Sequence, residues 1–146
     1  MTARQLAVQL LFSVEENRLP PEEAAELFFS EEHYDTLTGE DVIFDERPDE
    51  EQMAYIMRIA GMTYAHLDEI DAIIEKYARG WKKSRLPKTT LAVLRCAICE
   101  ILFCEDIPNS AAVDEAVEQG KRYGSPDDGR FINGLLGSFL REMKEQ

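Results

Sequence analysis

The chain has 146 residues, 45% hydrophobic and 31% charged, a balance that suits one globular domain and excludes a disordered chain. No apolar run approaches the roughly 20 residues that cross a bilayer, and the N-terminal MTARQLAVQLLFSVEE lacks the basic lead and cleavage site of a signal peptide, so the expected address is the cytoplasm. The net charge of −13 is segregated: residues 15–51 carry 15 acidic and 2 basic side chains, and the remainder is neutral overall.

In chain order, Thr2 to Glu16 reads as the first helix. Thr2 and Gln5 have capping-box spacing, and Ala3, Leu6, Ala7, Leu10 and Val14 make one apolar stripe. Pro20-Pro21 breaks it, and Pro21 opens a second helix through EEAAELFFSEEHY with Leu27 and Phe28 as anchors. Residues 35–49 form an acidic, less regular loop in which Val42, Ile43 and Phe44 suit a short extended piece. Asp49 starts a helix to about Ala65, and helical spacing continues from Leu67 to about Ala78; Gly61 within it marks close packing or a bend.

The connection WKKSRLPK follows, with Trp81 as a core cap or an interface anchor, burial being favoured. A strongly apolar helix from about Pro87 to Cys104 fits the centre of a bundle. Asn109 or Ser110 caps the next helix, which ends at Tyr123 with Gly124 as its C′ glycine. The last helix opens with Ser125-Pro126-Asp127-Asp128, a cap serine followed by proline at the first helical position. The expected fold is all-α, a compact bundle of six or seven helices in two packed halves, with residues 1–146 as a single domain.

Enzymatic signatures are lacking: there is no GxGxxG, P-loop or GxSxG, and His33 and His66 have no metal-type partners at helical spacing. Neither a catalytic residue, a metal nor a cofactor is expected. Cys96, Cys99 and Cys104 lie among Leu, Ile and Ala, which favours packing over metal or redox chemistry. Residues 76–95 hold seven basic side chains (Lys76, Arg79, Lys82, Lys83, Arg85, Lys88 and Arg95) and no acidic ones; they suit a solvated helix end and a docking surface equally. At the head of the last helix, free N–H groups, Arg130 and Phe131 offer a phosphate and an unpaired base something to bind, although the residues alone favour core packing for Phe131 over RNA contact. Asp127 and Asp128 repel phosphate but serve the cap, and an Asp can accept a base amino group.

Three blocks carry a family resemblance: ARQLAVQLLFS, LAVLRCAICEILF and DIPNSAAVDEAVEQGKRYGSPDDGRFINGLL. In this order and spacing they resemble the NusB family over nearly the whole chain. The resemblance implies a non-catalytic transcription antitermination adaptor. Its partners would be the boxA element of ribosomal RNA leader transcripts and NusE, a protein of the small ribosomal subunit, with other Nus factors and RNA polymerase engaged indirectly. Carried over by position, it implies RNA-facing roles for Arg4, Phe12, Asp127 and Phe131, to which charge and adjacency add Arg130, and a NusE-facing role for Arg85 and Thr90.

Two departures stand out. Only Arg4 remains where many relatives carry several arginines, and Phe12 replaces a common tyrosine. Modest RNA affinity without NusE follows. The alternatives are a NusB-like module of a ribosomal RNA cytosine methyltransferase, and a protein-only adaptor with weakened RNA binding. Both monomer and homodimer are compatible with the sequence.

Overall fold

The computed structural model describes residues 2–37, 46–78 and 85–145. Those residues form eight α-helices and one 3₁₀ turn, without a strand: α1 (Thr2–Asn17), α2 (Pro21–Phe28), α3 (Glu31–Tyr34), the turn Asp35–Leu37, α4 (Glu50–Ala65), α5 (Leu67–Tyr77), α6 (Lys88–Phe103), α7 (Asn109–Tyr123) and α8 (Pro126–Glu145). None of these helices is long and apolar enough to cross a membrane. Val42, Ile43, Phe44, Arg79, Trp81, Lys82 and Lys83 lie outside the described residues.

The larger helix number has local causes. The expected second helix divides at Ser30, whose side chain accepts the His33 N–H and starts α3 afresh. The run from Asp49 divides at His66, which ends α4 and precedes α5 while its ring stacks on Phe103 at 4.2 Å. Gly61 is not a close approach, because a Cβ there would meet nothing within 4 Å. Asp49 and Gln52 form a reciprocal capping box at the head of α4. The α7 cap differs from expectation: Pro108 occupies that position, and Asn109 and Ser110 are the first helical residues. Proline's fixed φ already supplies the extended geometry of a cap residue. Gly124 ends α7 with φ −128°, so it is not the left-handed C′ glycine expected. Its smallness matters for space, since a Cβ would sit 2.9 Å from the Gly120 carbonyl oxygen.

α6 is the hub. Every residue from Thr90 to Glu100 is buried, and the helix packs against α1, α4, α5, α7 and α8. That placement explains why its apolar positions run almost all round. Two of its buried side chains are charged. Arg95 holds Asp71 of α5 with two bonds of 2.8 and 2.9 Å, and reaches Glu15 of α1 at 2.9 Å. Burial opposes the Arg95 charge, but these carboxylates outweigh it and hold the guanidinium pKa above its ordinary value. The pairing ties α6 to its neighbour α5 and to α1, 80 residues away in sequence. The acidic segment is also anchored at its described ends: Tyr34 donates to the Glu46 carbonyl, and Arg47 donates to the Phe29 carbonyl and Asp35.

Candidate nucleic-acid interface

The head of α8 is built by its cap. The Ser125 hydroxyl accepts the Asp128 N–H at 3.2 Å and donates to the Asp128 carboxylate at 3.0 Å, which draws Asp128 into the cap. Asp127 stays exposed and pairs with Arg130 one turn later. Phe131 follows, half-buried and packed against the core. Thus Asp127, Arg130 and Phe131 share the first turns of α8, at the end where the helix dipole is positive.

Small residues let α7 and α8 approach closely. A Cβ on Gly120 would lie 2.4 Å from Ile132 Cδ1, and one on Gly129 would lie 2.7 Å from Lys121 Cγ. The last turns of α7 therefore sit directly beneath the α8 head. Gln5 of α1 lines a shallow depression together with Glu115, Glu118, Gln119, Lys121 and Arg122 of α7. The depression is mixed in charge, and Lys121 is paired with Glu118 at 3.6 Å.

Arg4 occupies a different environment from the one its expected role needs. It is buried, and its Nε donates to both Glu100 oxygens, at 2.8 and 3.2 Å. Tyr55 donates to the same carboxylate at 2.7 Å. Burial disfavours the Arg4 charge, yet the pairing with Glu100 holds its pKa above the ordinary value; burial chiefly pushes the Tyr55 pKa far up. The Arg4 cation is thus directed at a buried carboxylate. Phe12 is half-buried against the core two turns beyond Gln5.

The two residues carried over for a protein partner separate. Arg85 is exposed, just ahead of α6. Thr90 is 2% exposed, because it lies on the first fully enclosed turn of α6. Within the basic run, Lys76 pairs with Glu142 at 2.7 Å, Lys88 with Glu16 at 2.6 Å, and Arg95 is internal. Those three cations are committed inside the chain.

Cys96, Cys99 and Cys104 are buried free thiols. Burial pushes Cys96 well up and Cys99 to about 11, so neither is a thiolate at neutral pH. Among the described residues no three His, Cys, Asp or Glu side chains group as a metal site. Reading the sequence for sites passed over Tyr77 and Arg141, which line one cavity with Phe131. The signal was present in α8: Arg130, Gly134, Ser138 and Arg141 follow helical spacing along one side.

The model of the NusB family matches residues 1–141. The transcription antitermination protein NusB of Symbiobacterium thermophilum is 39% identical over 142 residues, which is 97% of this chain and 89% of that protein. The protein of the same name from Natranaerobius thermophilus is 32% identical over 99% of this chain and 96% of its own length. Among solved structures, T. maritima NusB is similar at 30% identity with a TM-score of 0.78, covering 96% of this chain and 89% of that one. A crystal structure of antitermination factors NusB and NusE in complex with dsRNA has the same fold at 21% identity, with a TM-score of 0.76 over 97% of this chain and 95% of that one.

Proposed function

The chain belongs to the NusB family, and on that premise we propose that it is a transcription antitermination adaptor that binds boxA-type leader RNA together with NusE. The observation that carries this reading is the family match across residues 1–141. The neighbour of like fold solved with NusE and RNA supports the choice of partners.

On this reading RNA lies on the α8 head, in the interior of the cell, on the transcript of an elongating RNA polymerase. Phe131 stacks an unpaired base, Arg130 holds a phosphate by exchanging its exposed bond to Asp127, and the released Asp127 accepts from a base amino group. Phe12 adds a second apolar surface from α1. Arg4 contributes by fixing the first turns of α1 through Glu100. Arg85 faces NusE, and buried Thr90 sets the start of α6 behind it. No step requires a bond to be made or broken, so the role is that of a scaffold and not of an enzyme.

One observation favours a second reading, a protein-only adaptor. Arg4, carried over as an RNA-facing residue, is instead paired with Glu100, which takes one cation from the surface offered to phosphate. Titrating a boxA-type single-stranded RNA, with and without equimolar NusE at two salt concentrations, separates the two. Binding that tightens with NusE, prefers boxA over a scrambled RNA and weakens with salt supports the RNA adaptor. Binding of NusE with no effect on RNA leaves the protein-only reading.

A further inference from the structure

A cavity of about 330 Å³ opens between the end of α5 and the outer side of α8. Its lining includes Tyr77, Arg130, Phe131, Gly134, Ser138 and Arg141, and among the described residues holds no carboxylate. The size lies at the small end of ligand pockets. Arg130 and Arg141 are eleven residues apart, three turns of helix, so they stand at opposite ends of one face about 16 Å apart.

The two aromatic walls are held in place. Phe131 packs on the core. Tyr77 packs on Phe139, with ring centroids 5.9 Å apart, and its hydroxyl donates to Glu142 at 2.5 Å. The Glu142 carboxylate beside the cavity is neutralised by Lys76, whose bond holds the Glu142 pKa below its usual range. Arg141 is exposed and bonds only the Ser138 hydroxyl, at 3.1 Å, so among the described residues it has no acidic partner.

The geometry points to an extension of the RNA path: a groove that takes one base against Tyr77 and Phe131 and a flanking phosphate on Arg141. This rests on the RNA-adaptor reading and adds to it a binding residue, Arg141, and a nucleotide beyond those at the α8 head. Single-stranded RNA is the occupant that the lining fits. Aromatic faces suit a base of any sequence, arginines suit phosphate, and the groove continues from Phe131. An acidic protein segment would use the arginines and leave the rings without a role.

Two variants test it in the full chain, with NusE present and a boxA-type RNA long enough to run past the α8 head. Arg141→Ala removes an exposed side chain, and Gly134→Leu fills the groove from a position where a Cβ meets nothing within 4 Å. Both should fold with unchanged circular dichroism. Arg141→Ala should flatten the plot of log K against log salt by about 0.7, the share of one phosphate on a single strand. Gly134→Leu should weaken binding about fivefold or more, by denying the stacked base its place. Unchanged affinity and slope in both variants, with Phe131→Ala still impaired, overturns the groove and leaves the site at the α8 head. Loss of NusE binding with RNA binding intact also overturns it, and makes the groove a protein surface. Failure of the unsubstituted chain to bind RNA with NusE present overturns the adaptor reading and this one together.

Discussion

Arg4→Ala gives the sharpest test of how this chain spends its charges. Glu100 is 1% exposed and receives its charged bond from Arg4; truncation leaves the carboxylate with the Tyr55 hydroxyl at 2.7 Å and the Cys96 thiol at 4.0 Å. Removing one partner of a buried ion pair costs about 3–5 kcal/mol, because the other charge stays desolvated. Against a total stability of about 5–15 kcal/mol that is a large fraction, and for a chain of this size it lowers the melting temperature by roughly 10 °C. Urea unfolding followed by circular dichroism measures the loss. The double substitution Arg4→Met with Glu100→Leu removes both charges at similar volume, and should recover most of the stability. A loss below about 1 kcal/mol for Arg4→Ala would refute the buried-pair argument. A stable variant whose RNA salt slope falls by about 0.7 would further show that the guanidinium faces phosphate.

Ser125→Ala should cost about 1 kcal/mol in urea unfolding, since it strips the Asp128 N–H of its cap; an unchanged midpoint would mean that Pro126 alone starts α8. Phe131→Leu keeps an apolar body against the core and loses the ring, so RNA binding should weaken by about 1–3 kcal/mol while stability changes by less than about 1.5 kcal/mol; equal affinity would refute stacking. The buried thiols set an alkaline limit. Cys99 ionises at about 11 in the folded chain against an ordinary value of 9.0, so its full contribution is present below pH 9. Above pH 9 the unfolded state gives up its proton first, so stability should fall as the pH rises from 9 toward 11. Urea midpoints at pH 8, 9 and 10 follow this, and Cys99→Ala should flatten the slope; a constant midpoint would refute it.

Much of the fold was legible because it rests on local signals. The Asp49 start of α4, the Ser125-Pro126 start of α8 and the apolar run of α6 each lie within a few residues and carry their own physics. The misread boundaries have equally local reasons. Ser30 is a cap hidden inside an apolar and acidic pattern that continues through it, so α2 and α3 read as one helix. The break between Ala65 and Leu67, by contrast, falls where the apolar spacing puts it, although His66 is neither glycine nor proline, and Gly61 lies in open space.

The site was less legible, because its charges are allocated across long distances. Arg4 meets Glu100 at a separation of 96 residues, Arg95 meets Glu15 at 80, and Lys88 meets Glu16 at 72. No spacing rule connects such pairs, so a basic run at 76–95 and an acidic run from residue 15 looked like two surfaces. In the fold, the head of the acidic run and the end of the basic run neutralise each other across α1 and α6. That changes the meaning of the charge total. Among the described residues, Arg130 in its loose pair with Asp127 and Arg141 are two exposed cations of α8 that retain reach toward a phosphate. An exposed pair contributes little to folding, so exchanging its carboxylate for a phosphate costs the fold almost nothing. Breaking Arg4 or Arg95 away from its buried carboxylate would cost several kcal/mol. Binding on this chain is therefore assigned to the exposed arginines of α8, and the buried ones hold the helices that present them.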